Sequence, residues 1–292
     1  MGSTMNIIDL FSQNKLIQDW QAHVSQLERQ LIMGLSGSSR ALAIASAYQA
    51  NKGKYVVITS TQNEVEKLAS DLSSLIGEEQ VYTFFADDVA AAEFIFSSMD
   101  KVNSRLESLN FLQNAEQTGV LVTSLMGTRV LLPNPATYAH NQLHFELGHS
   151  YELDDVVKTL ALLGYQRANQ VLNPGEFSQR GDIIDIYEIT ADRPYRLEFF
   201  GDEIDGIRQF EVSSQKSVDT LSHVTIFPAD DLLLYEEDFA RATKSLEKYL
   251  ETAKEEQHAY LSEVYESTKA GYKHADIRRF AFIFYAKEWT LL

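Results

Sequence analysis

The 292-residue chain contains no cysteine. That excludes disulfides, thiolate metal ligands and cysteine nucleophiles, and it suits a reducing compartment such as the cytoplasm. Positive charge is also scarce: 25 Lys and Arg face 42 Asp and Glu, a formal net charge of −17. Nucleic-acid affinity comes chiefly from Lys and Arg replacing counterions, so most of this surface repels a phosphate backbone. No apolar run approaches the roughly 18 residues of a membrane span, and no basic-then-apolar leader opens the chain. Internal repeats, low-complexity tracts, Gly-x-Ser-x-Gly and His-Glu-x-x-His are all missing. The expectation is a cytoplasmic protein with no membrane partner, no metal and no cofactor.

What is present is ordinary globular material, 45% hydrophobic and 23% charged, and long enough for two domains. Residues 6–30 carry apolar positions at helical spacing, giving one or two helices. Leu31-Ile32-Met33-Gly34-Leu35 reads as a short buried strand, followed by a turn and a helix from Arg40 to about Asn51. Strands at Tyr55–Thr59, Val81–Phe84 and Val120–Thr123 alternate with helices at about 62–76 and 90–114. Apolar strands alternating with helices specify an α/β unit with a parallel sheet covered on both faces. Beyond Pro133-Asn134-Pro135 the pattern changes. Leu143, Phe145 and Leu147 alternate with polar residues, a helix follows at about 153–163, and short strands run to about Val224. From Ile226 onward the chain is mostly helical, with a stripe it cannot bury alone. The expected organisation is 1–134 as the first part of the α/β domain, 135–224 as an inserted α+β domain, and 225–292 as a helical segment completing the first. Nothing at Trp289–Leu292 signals a stop, so part of a longer protein is expected.

The stretch from Gly175 to Phe210 holds the densest charge chemistry. Short strands at Ile183–Tyr187, Tyr195–Phe200 and Ile204–Phe210 are separated by turns containing Gly181, Asp192-Arg193-Pro194 and Gly201-Asp202. Five of the twelve arginines (Arg167, Arg180, Arg193, Arg196 and Arg208) lie in or just before it. A guanidinium is a planar fork that pairs carboxylates bidentately and desolvates more cheaply than an ammonium. Such a cluster suits a protein-facing surface. By composition alone the favoured reading is a solvated antiparallel sheet with salt-bridged rims.

The turn Gly34-Leu35-Ser36-Gly37-Ser38-Ser39-Arg40-Ala41 sits where a nucleotide-binding α/β domain carries G-x-x-x-x-G-K-[ST]. The frame matches and the chemistry does not. Ser39 replaces the second glycine, Arg40 the phosphate-reaching lysine, and Ala41 the hydroxyl that would hold Mg²⁺. The strand Val120–Ser124 also ends without a metal-binding carboxylate. A degenerate, non-catalytic loop is expected.

Other candidates are weaker. His140, His144 and His149 are spaced like metal ligands but span the change into a strand. Asp87-Asp88 and Asp230-Asp231 are acidic pairs at turns, where neighbouring carboxylates point apart and cap helices. The aromatics are not interleaved with basic residues as a stacking platform for single strands would need.

Taken together, Gly175-x-Phe177-x-x-Arg180-Gly181-Asp182-Ile183-x-Asp185-Ile186, Arg196-x-Glu198-Phe199-Phe200-Gly201-Asp202-Glu203-Ile204 and Ile226-Phe227-Pro228-Ala229 resemble the module shared by the nucleotide-excision-repair helicase subunit UvrB and the transcription–repair coupling factors. Ser104-Arg105-Leu106-Glu107-x-Leu109, Val120–Ser124 and Gly164-Tyr165-Gln166-Arg167 extend the resemblance to about 30–292. The broken loop at Ser39, Arg40 and Ala41 is similar to that of the coupling factors rather than the helicase subunit. The resemblance implies a degenerate helicase-like (P-loop NTPase-type) parallel-sheet domain carrying an inserted docking domain and no catalytic residues. It implies recruitment of the damage-recognition ATPase subunit UvrA through Arg167, Arg180, Arg196 and Glu198, with Phe177 as an aromatic anchor. RNA polymerase and DNA would be engaged only by domains outside these 292 residues. The helicase subunit has a further arginine where this chain has Ser178. The rival readings are an ATP-dependent repair helicase subunit and a direct DNA-binding module.

Overall fold

A computed structural model describes residues 6–24, 29–86, 99–274, 277–286 and 290–291. The acidic pair Asp87-Asp88 and the expected start of a helix at Ala90 lie outside them. The chain divides into two compact units: Met1–Asp87 with Glu107–Val130, and Asp88–Leu106 with Leu131–Leu291.

The first unit contains α1 (Ile7–Ser12), α2 (Lys15–Val24), α3 (Ser39–Ala50), β1 (Lys54–Thr59), α4 (Gln62–Ile76), β2 (Val81–Phe84), the end of α5 (Met99–Gln113) and β3 (Gly119–Ser124). Its sheet has the order β1-β3-β2 and is parallel throughout. The central strand β3 is buried at every residue, as a parallel strand covered on both faces is. Helix α4 starts where Thr61 accepts a hydrogen bond from the Glu64 amide, and it buries Val65, Ala69 and Leu72 at helical spacing. These pack with Ala41, Ala45, Tyr48, Val120 and Val122. The chain is therefore mixed α/β with a parallel sheet, as the alternation of strands and helices implied.

One expectation fails. Leu31–Leu35 forms no strand; Leu31 is 84% and Met33 81% exposed. A run of five apolar residues becomes a buried strand only if a neighbour hydrogen-bonds it, and β3 is flanked by β1 and β2 instead.

The second unit begins with the first turns of α5 and continues through α6 (Pro135–His140), β4 (Leu143–Glu146), α7 (Leu153–Leu162), β5 (Gln166–Arg167), β6 (Glu176–Arg180), β7 (Ile183–Ile186), β8 (Tyr195–Phe200), β9 (Glu203–Phe210), β10 (Ser217–Leu221), β11 (His223–Ile226), α8 (Glu236–Thr252), α9 (Glu255–Lys269) and α10 (Ala281–Phe284). Six strands form one sheet in the order β10-β9-β8-β7-β6-β5, antiparallel except for β5 beside β6. Strands β4 and β11 pair separately, so the chain enters and leaves this region on adjacent strands. After α7, Gly164 takes φ +95°, and a Cβ there would lie 2.7 Å from the Asp230 Cβ. Helices α8 and α9 bury Ala242, Leu246 and Val264 against Leu232, Leu234, Ile277 and Phe284.

Asp230 and Asp231 prove to be structural. Asp231 is buried and accepts from Arg105 Nε at 2.6 Å and from Arg278. Asp230 receives Arg278 at 3.1 Å and Lys273 at 2.5 Å. Burial raises the Asp231 carboxyl's pKa, but Arg278 and Arg105 more than reverse this and hold it well below the usual carboxylate range. The histidines stay apart in role: His140 Nδ1 lies 2.6 Å from the Ala136 carbonyl, His144 Nδ1 lies 3.0 Å from Thr225 Oγ1, and His149 lies 3.6 Å from Glu146. Among the described residues, no helix is long and apolar enough to cross a membrane.

Candidate protein-docking surface

The six-stranded sheet rests on two tight hairpins. Arg180 pairs with Ile183 across Gly181-Asp182, and Phe200 pairs with Glu203 across Gly201-Asp202. Both glycines have positive φ, +61° and +64°, which two-residue hairpin turns of this kind require. The turns fix the register, and the register sorts the side chains by face. Phe177, Ile184, Ile186, Leu197 and Ile207 point one way and are buried. Arg180, Asp185, Arg196, Glu198, Phe200 and Arg208 point the other way.

Asp185 is the centre of that second face. It is buried, and Arg196 from β8 grips it bidentately, Nε to Oδ1 at 2.6 Å and Nη2 to Oδ2 at 2.9 Å. Arg180 from β6 reaches the same Oδ2 at 2.7 Å. The two guanidiniums differ in exposure: 50% of the Arg180 side chain is solvent-accessible against 14% for Arg196. Arg196 also stacks over the Phe210 ring, 4.4 Å from its centroid, and donates to the Gln215 carbonyl at 3.5 Å. Gln215 is held there at φ +58° in the turn after β9. The hydrogen bond from Arg196 to Asp185 raises the guanidinium's pKa further.

A second pair lies beside the first. Glu198 receives Arg208 Nη2 at 3.1 Å by reaching across Gly206, its partner in register. A Cβ at Gly206 would stand 2.8 Å from the Glu198 Oε2, so this pair depends on glycine opposite Glu198.

The five expected docking residues are thus not all brought together. Arg180, Arg196 and Glu198 share a face. Arg167 pairs in register with Phe177, which puts it on the other face, where it donates to Gln179 Oε1 at 3.1 Å. Phe177 is 1% exposed and belongs to the core; its ring is not available to a partner. The aromatic that is available is Phe200, 84% exposed at the tip of the β8–β9 hairpin. Sequence reasoning missed it, although the parity of Arg196, Glu198 and Phe200 along one strand placed it on this face. Ser178, where an arginine stands in the helicase subunit, is buried beside Asp185 in register, and among the described residues its Oγ has no hydrogen-bond partner.

At the other candidate, the residues of the degenerate loop are engaged in local structure. Gly34 and Gly37 have φ of +85° and +55°. Ser39 accepts from the Ser36 amide at 2.8 Å and donates to its carbonyl at 2.6 Å. Arg40 lies 3.8 Å from Glu64, and Ala41 is in the core.

An α/β chain bearing a small, arginine-rich antiparallel sheet is the class these observations define. Residues 143–232 match the UvrB interaction domain family. Across 275 residues, 91% of this chain, the sequence is 31% identical to the transcription-repair-coupling factor of Bacillus subtilis. It is 30% identical over 274 residues to that of Staphylococcus aureus and 29% over 273 residues to that of Staphylococcus epidermidis. The chain spans 23% of the length of these relatives. Over nearly its whole length the chain is thus similar to a part of the transcription-repair-coupling factors.

Proposed function

We propose that this chain is a non-catalytic recruitment module that docks the damage-recognition subunit UvrA, so that excision repair follows a stalled RNA polymerase. The observation that carries the reading is the pairing of a half-exposed cation, Arg180, with an exposed aromatic, Phe200, on one face of a rigid sheet. Arginine and aromatic side chains are the residue types that dominate protein interfaces. Residues 135–224 form the docking insertion, which is consistent with the adjacent entry and exit strands β4 and β11. The α/β unit is a helicase-like scaffold that has lost its chemistry. Ser39 closes its own turn, Arg40 lies 3.8 Å from Glu64, and Ala41 is packed in the core, so the turn lacks the lysine and the metal-holding hydroxyl of a working phosphate loop. Contacts with RNA polymerase and DNA belong to regions beyond these residues.

Titration of purified UvrA against the full chain tests the proposal. Arg180→Ala and Phe200→Ala are each expected to weaken binding by about tenfold, or about 1.4 kcal/mol. Both should leave the circular dichroism unchanged. Unaltered affinity in both variants removes the site, and ATP turnover by the chain restores the helicase reading.

A further inference from the structure

Resting on the docking reading, we propose that Asp185 is the positioning residue of this surface: one buried carboxylate holds Arg180 in the orientation a partner carboxylate meets. Two guanidiniums converge on one carboxylate, so the cluster keeps one surplus positive charge. Arg196 cannot deliver that charge outward. It is largely buried, gives two hydrogen bonds to Asp185, and is capped by Phe210 and the Gln215 turn. Arg180 can. It commits only Nη2 to Asp185, and half of its side chain remains in solvent. A guanidinium has five N–H donors in a fixed plane, so one anchored edge leaves another edge aimed outward. A surface arginine otherwise loses considerable side-chain entropy when a partner immobilises it; tethering to Asp185 removes part of that cost beforehand. Arg196 therefore acts as the counterweight that holds Asp185 in place, while Arg180 makes the contact. The ligand chemistry is a partner Asp or Glu beside an apolar pocket that accepts Phe200.

The test uses the full chain and purified UvrA in a double-mutant cycle of Arg180→Ala and Asp185→Asn. Each single change should weaken binding by about tenfold, and the pair together by no more than about twofold further, since either change removes the same oriented guanidinium. Additive losses, near a hundredfold for the pair, overturn the proposal. Arg180→Lys is the second variant, at a half-exposed position that the fold tolerates. It keeps the charge but not the fork, so it should bind as weakly as Arg180→Ala; wild-type affinity would show that charge alone matters. Nitrogen-15 NMR of arginine side chains needs no partner. The Arg180 Nε–H signal should be ordered in the wild type and averaged in Asp185→Asn. An unchanged signal overturns the positioning role. If the wild-type chain does not bind UvrA at all, the docking reading fails, and the NMR result still decides whether Asp185 orders Arg180.

Discussion

Arg105 and Asp231, 126 positions apart, form a buried ion pair with Nε 2.6 Å from Oδ2. Arg278 closes the other side of the carboxylate and also reaches Asp230, which Lys273 holds from the far side. One buried carboxylate thus ties together α5, the segment before α8 and the residues after α9.

Removing Arg105 leaves the buried Asp231 carboxylate short of one of its two guanidiniums. Arg105→Ala is expected to destabilise the second unit by about 3–5 kcal/mol, measured by urea unfolding. The same pair sets an acid limit. The folded Asp231 carboxyl titrates well below its unfolded counterpart, so its contribution is complete above the ordinary carboxylate range near pH 4. It is lost as pH falls through the depressed folded value. Asp231→Asn should flatten the stability–pH curve on that acid limb, and an unchanged slope would contradict the pairing.

Phe177 and Phe200 should behave oppositely. Phe177→Ala opens the sheet core and is expected to cost about 3–5 kcal/mol. Phe200→Ala should stay within about 0.5 kcal/mol of wild type. Thermal denaturation of the two variants side by side distinguishes a core ring from a presented one.

At Gly206, alanine would occupy the space of the Glu198 carboxylate. The side chain can swing aside, so Gly206→Ala should change stability by less than about 1 kcal/mol. It should nonetheless release Arg208, seen as loss of its ordered side-chain NMR signal.

The exposed run Leu31–Met33 yields the plainest check on the first unit. Leu31→Ser with Met33→Ser should leave the unfolding midpoint within the equivalent of about 0.5 kcal/mol per site and improve solubility. A buried strand there would lose several times as much.

Local pattern was enough for most elements. Helix α4 is legible because Thr61 caps it and its apolar residues recur at helical spacing, and β1, β2 and β3 because they are short apolar runs between turns. The Gly181-Asp182 and Gly201-Asp202 turns likewise announce two hairpins. Strand β6 was missed because Glu176–Arg180 carries a single aromatic among polar residues. Its strand character comes from pairing with β7, which no local window contains.

The same division holds at the surface. Amino-acid sequence by itself determined the class of chain, the absence of a working phosphate loop's residue types, and the concentration of arginines between 167 and 208. Only the tertiary structure decided which of them could meet a partner. Burial and register are properties of neighbouring strands: they put Arg167 on the opposite face, sank Phe177 into the core, and tied Arg196 to Asp185. They left Arg180 and Phe200 facing solvent.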